Sequence, residues 1–202
     1  MRKRTSGLLA DLAADGACTL GQAIRNRGSE ALDSVLRNGL ARVVPVAYRP
    51  TARSRRRVDA PVLMLTGAGE EAVRLEGLEP WRPPMRKIAH TLGMSELRAV
   101  LGLDPWSVVR GSDLEVAWVK AGVSRHGVPD GLFCAGGEMV GLEYDHGKYS
   151  AEQVEAKLEA APLLSDRLVW GVPSAARAAW LRSRGVLDVL VLRIPLWPGV
   201  EL

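Results

Sequence analysis

"VPDGLFCAGGEMVGLEYDHG", residues 128–147, is the stretch on which the reading of the fold turns. Two short apolar runs flank Gly136-Gly137, the pattern of a β-hairpin. Each run carries acid: Asp130 in the first, Glu143 and Asp145 in the second. Carboxylates inside strand-like sequence are costly to desolvate unless something pairs with them. They are therefore a metal site, the remains of one, or the solvated face of a hairpin. Alternation puts Met139, Gly141, Glu143 and Asp145 on one face, with Val140, Leu142 and Tyr144 on the other.

The flanking sequence extends this hairpin into a sheet. "SDLEVAWVKAG" (112–122) reads as a helix before it, and "SAEQVEAKLEAAPLL" (150–164) as a helix after it, with Ser150 as N-cap. "RLVWGVP" (167–173) is a strand, "SAARAAWLRSRG" (174–185) a helix between cap and Gly, and "VLDVLVLRIPLW" (186–197) a last apolar strand. Helix, strand, strand, helix, strand, helix, strand makes a small α/β domain, placed at 106–202.

The first part of the chain has a different rhythm. Leu8, Leu9 and Leu12 are helically spaced before Gly16. Thr19 is a candidate N-cap for a run that ends at Gly28, and Ser29 for a run with Leu32, Val35 and Leu36 on one face that ends at Asn38-Gly39. Three short helices with tight Gly turns match a helix-turn-helix core. "ARVVPVAYRP" (41–50) and "APVLMLTGAGEEAV" (60–73) then supply two strands and a helix starting near Thr66. Between the strands lies "TARSRRRVD" (51–59), so the pattern predicts a winged helix over 1–76 with Arg49, Arg53, Arg55, Arg56 and Arg57 on or beside the wing. Such arginines suit phosphate contacts and the narrow minor groove. On the third helix Ser34, Arg37 and Asn38 are exposed candidates, with Arg37 and Asn38 able to read base edges; Glu30 and Asp33 would repel phosphate. Binding is therefore expected to rely more on Arg25, Arg27 and the wing than on this helix.

Bulk properties agree with that division. Residues 1–60 hold 12 Lys+Arg against 5 Asp+Glu, while the other 142 residues hold 15 against 18. A basic first third on a mildly acidic remainder fits a chain with one polyanion-binding end. At 47% hydrophobic and 25% charged, the 202 residues can bury a core. Cys18 and Cys134 match no metal spacing, Asp11 and Asp15 interrupt the first apolar run, and no later run is long enough for a membrane span. A cytoplasmic protein with no membrane partner is the expectation. "GLEPWRPPMR" (77–86) is a proline-rich breakpoint, and the helix in "KIAHTLGMSELRAVLGL" (87–103) is expected to bridge the domains or form a dimer surface, giving a linker over 77–105.

With these segments in order, the chain resembles the plasmid replication-relaxation family, proteins of plasmids and mobile elements. The likeness lies in "LTGAGEEAV" (65–73), "HTLGMSELRAVL" (90–101) and "PDGLF…GLEYDHGKYS…KLEAA" in the second half. It implies a winged helix followed by an α/β domain related to the PD-(D/E)xK nucleases. Such a site needs an Asp, then a Glu-x-Lys whose Lys shares the strand face of the Glu, with the acids holding Mg²⁺. Asp130 and Glu143 match the first two elements, with Glu115 as the helix acid and Asp145 as a further candidate ligand. The departure is the third element, where Asp145 stands in place of Lys; Lys148 or Lys157 would have to substitute.

No cofactor is expected unless the acids still bind Mg²⁺. The reading favoured is a DNA-binding protein acting as a repressor or a replication or mobilisation accessory factor. It binds double-stranded DNA, as a homodimer on inverted half-sites, with a catalytically degenerate second domain. The alternative is a Mg²⁺-dependent endonuclease targeted by the winged helix. On sequence grounds, Asp145→Lys is expected to be neutral or stabilising because it relieves like-charge repulsion.

Overall fold

Apolar residues at helical spacing, closed by glycine turns, build the first helices. In a computed structural model that describes residues 2–49, 51, 54, 55, 57–197, 200 and 201, these are α1 (Arg2–Asp15), α2 (Leu20–Arg27) and α3 (Ser29–Arg37). The expected cap at Thr19 is present: its hydroxyl accepts the N–H of Gln22, whose side chain returns to the Thr19 N–H. At α3 the N-cap position is taken by Gly28 and not Ser29, because the turn between α2 and α3 is that single residue. The protein divides into two units: residues 1–50, 54–100 and 193–202, and residues 51–53 with 101–192. The fold is mixed α/β.

In the first unit, β2 (Ala41–Tyr48) and β3 (Val58–Leu65) pair antiparallel in register from Ala41 opposite Leu65 to Tyr48 opposite Val58. The short strand β1 (Cys18–Thr19) adds to the far side of β3, giving the order β1-β3-β2. Pro45 fits because β2 is an edge strand, where a missing N–H costs nothing to a neighbour. The helix expected to start near Thr66 is α4 (Gly67–Leu75), with Thr66 as its N-cap accepting from the Gly69 N–H. Leu8, Leu12, Val35, Leu63 and Val73 form the core where α1, α3, β3 and α4 meet.

Two sequence expectations are corrected here. Residues 77–100 do not form a separate linker: α5 (Ile88–Val100) belongs to the first unit and buries Ile88, Leu92 and Leu97. The apolar run 186–197 is not one strand. It breaks at Arg193, and its end, β9 (Pro195–Trp197), lies in the first unit and pairs with β10 (Val200–Glu201). The break falls at residues 192–194, and Pro195 opens the new strand, a position that a missing N–H allows. The Thr19 hydroxyl donates to the Pro195 carbonyl, tying β9 to the start of α2.

The second unit holds one sheet of order β4-β5-β6-β7-β8. After β4 (Val109–Arg110) and α6 (Gly111–Lys120), the hairpin of β5 (Gly131–Ala135) and β6 (Glu138–Tyr144) runs antiparallel through Gly136-Gly137. Both glycines have positive φ, 61° and 90°, which the tight two-residue turn requires. Then α7 (Ala151–Leu164), β7 (Arg167–Val172), α8 (Ala175–Arg182) and β8 (Asp188–Val191) add parallel strands through crossover helices. Ser150 caps α7 with a full capping box. The strand β6 is buried on both faces from Val140 on, so the solvated-hairpin reading of its acids does not hold.

Candidate functional site

Glu143 sits in the middle of this sheet with no exposed surface. Alternation along β6 aims it at α7, whose inward face carries Val154, Lys157, Ala160 and Leu164 at helical spacing. Lys157 therefore arrives from a core position of the helix. Its ammonium pairs with Glu143 Oε1 and donates to the Val128 carbonyl at 2.9 Å. The other Glu143 oxygen accepts from the Tyr149 hydroxyl at 3.1 Å. Asp130, just before β5, accepts the Tyr144 N–H at 3.0 Å, and the Tyr149 hydroxyl lies 3.5 Å from the same oxygen. Trp170 stands opposite Glu143 on β7 and meets the Tyr149 ring edge-on at 5.8 Å.

The electrostatics follow from two acids and one base sharing a dry site. Burial, and after it the Asp130 charge, push the Glu143 carboxyl well above the usual range, with the Lys157 ammonium working against them. For Lys157, burial opposes the charge, but Glu143 and Asp130 outweigh it and hold the ammonium protonated. Burial and the same acids raise the Tyr149 phenol, which stays a hydrogen-bond donor.

Asp145 lies beyond the end of β6 and turns to a different task. One oxygen accepts the N–H groups of Gly147 (2.7 Å), Lys148 (3.0 Å) and Tyr149 (3.3 Å). The other meets Arg177 at 2.5 Å, and Arg177 also donates to the Tyr149 carbonyl at 2.7 Å. Asp145 thus folds the loop that carries Tyr149 over Glu143. The side chain of Lys148 is exposed, and the lysine that meets Glu143 is Lys157. Glu115 is on α6, half-buried and paired with Arg125. Among the described residues, no three of His, Cys, Asp and Glu are grouped to hold a metal ion. Mg²⁺ needs carboxylate oxygens free to face it. Both Glu143 oxygens and both Asp145 oxygens are committed to protein donors, so the residues as placed do not fit that ion.

In the first unit, the basic candidates separate into two groups. Arg25 meets Glu96 twice, at 2.6 and 2.9 Å, and Arg27 meets Asp11 at 2.6 and 2.8 Å. Both acids are buried. The guanidiniums of Arg25 and Arg27, expected beside the wing to contact phosphate, pair with buried carboxylates of α5 and α1. Arg98 does the same for Asp15 at 2.6 Å. Arg37 and Asn38 are exposed at the end of α3, but Asn38 donates back to the Ser34 carbonyl at 2.8 Å and Arg37 to the Asp33 carbonyl at 3.3 Å. Ser34 is half-buried. Arg55 and Arg57 are exposed in the β2–β3 connection, and Arg49 is half-buried at its start. Arg53 and Arg56 lie outside the described residues.

Sequence reasoning did not name Tyr149 or Arg177. The signal for Arg177 is a cation among alanines in the first turn of α8, one turn before the buried Leu181. Tyr149 offers none, since its role depends on a loop folded by contacts with α8. Comparison with family models, with curated proteins and with solved structures finds no match for the chain. Among the described residues no helix is long and apolar enough to cross a membrane.

Proposed function

We propose that the protein binds double-stranded DNA through its first unit. The observation that carries this reading is the arginine-bearing connection between β2 and β3, set on a sheet of order β1-β3-β2 beside three short helices. Helix, strand, helix, helix, strand, strand is the element order of a winged helix, with α3 as the helix for the major groove and the 49–57 connection as the wing. With Arg25 and Arg27 engaged internally, Arg49, Arg53, Arg55, Arg56 and Arg57 supply the phosphate contacts. A role as repressor or replication or mobilisation accessory factor of a plasmid or other mobile element rests on the sequence resemblance alone.

The second unit is read as a nuclease-like scaffold whose acid site is closed. Its support is the pairing of Glu143 with Lys157 and Tyr149, and of Asp145 with Arg177. The approach of Asp130, Glu143 and Lys157 to one another favours the competing reading, a Mg²⁺-dependent endonuclease. Cleavage assays separate the two.

The binding test is fluorescence anisotropy of a labelled duplex across a salt series. Arginine–phosphate contacts release counterions, so log Kd rises linearly with log salt. The variant with Arg53, Arg55, Arg56 and Arg57 all changed to Ala should bind any duplex several orders of magnitude more weakly. Its salt slope should fall by roughly three to four. Parental affinity and slope in that variant would remove the wing from the interface.

A further inference from the structure

The helix α6 buries no side chain of its own chain: of its ten residues only Gly111 is buried. Leu114 and Trp118 are half-covered on its inner side, while Val116 and Val119 stand 64% and 44% exposed. Ser112, Val116 and Val119 recur at i, i+4 and i+7, which lays one small and two branched apolar side chains along an outward stripe. A short helix gains little from propensity alone and draws its stability from packing, so an apolar stripe left in water calls for a cover.

The charges beside the stripe point to what the cover is. Asp113 and Lys120 are seven residues apart, two helical turns, and so lie on the same flank of the stripe. When two identical helices pack antiparallel about a two-fold axis, each flank meets the same flank of its partner, run in the opposite direction. The midpoint of Asp113 and Lys120 falls at Val116-Ala117, so the pairing that crosses there brings Lys120 of each copy to Asp113 of the other. Parallel packing would not bring these two together. Asp113 is 52% exposed while meeting Arg110 at 3.1 Å, and Lys120 is exposed. We infer that α6 is a self-complementary homodimer surface in which two copies pair antiparallel through Val116 and Val119, with two Asp113–Lys120 ion pairs at the rim.

The test is sedimentation equilibrium of the full chain without DNA, so that it is independent of the binding reading. The parent should dimerise, and Val116→Arg should be monomeric at the same concentrations. Asp113→Lys and Lys120→Asp each place like charges across both rim contacts. Each should raise the dimer Kd by roughly tenfold or more, and the double swap Asp113→Lys/Lys120→Asp should restore it. Circular dichroism of each variant checks that the fold is kept. A monomeric parent, a dimer that survives Val116→Arg, or a double swap no tighter than the single ones would overturn the assignment.

Discussion

Three backbone N–H groups and one guanidinium converge on Asp145, at a position where the family resemblance asks for lysine. A lysine there would leave the N–H groups without an acceptor and set its own charge against Arg177. The sequence-based expectation that Asp145→Lys is neutral or stabilising weighed only Glu143 and Asp130; Arg177, 32 residues away and not legible from spacing, argues against it. The swap should cost about 3–5 kcal/mol, as breaking a buried pair does, read as a lowered urea midpoint. A midpoint equal to the parent's would sink this account of the loop. Glu143 gives a pH signature. Its folded pKa lies above its ordinary value, so between the two the folded state holds a proton that the unfolded chain has released. The group therefore penalises folding at high pH, and the penalty fades as pH falls through the raised value. Removing the ammonium enlarges that effect. Lys157→Met should lower the thermal midpoint more at about pH 8 than at about pH 5; an equal loss at both would mean Lys157 does not meet a charged Glu143.

At the scale of elements, most of the secondary structure was legible. The three first helices, the β2–β3 pair, the 136–137 hairpin, the helix start near Thr66 and the caps at Thr19 and Ser150 all appear where periodicity and turn chemistry place them. What was not legible was tertiary in origin. The two-residue β1 exists because β3 offers it an edge, and β9 leaves its apolar run after residue 191 to pair with β10 in the first unit. The helix α5 was expected to bridge domains, yet its polar positions Ser95, Glu96 and Arg98 are buried against α1 and α2 partners some 70 to 80 residues away. Two changes probe these attachments. Glu96→Ala leaves Arg25 and the Gln22 amide without their acceptor and should cost roughly 2–4 kcal/mol. Gly21→Ala would drive a Cβ into the Pro195 carbonyl, so it should loosen β9 from α2. Hydrogen exchange read at Leu196 would report that loosening, and unchanged protection there would contradict the seating of β9 on α2.

For the whole molecule, charge and closure divide the labour. Of the basic residues in the first 60, Arg25 and Arg27 pair with buried acids, while Arg55 and Arg57 stand exposed in the β2–β3 connection. In the second unit Glu143 is met by Lys157 and the Tyr149 hydroxyl, and Asp145 by Arg177. On the proposed reading the protein holds DNA and does not cut it. Incubating the full chain with supercoiled plasmid, with Mg²⁺, with Mn²⁺ and with neither, while scoring both mobility shift and nicking, tests it most directly. The predicted result is a shift that fades as salt rises and no nicking with either ion. Metal-dependent nicking by the parent, lost in Asp130→Ala and Glu143→Ala while the shift persists, would contradict it and make the second unit an endonuclease.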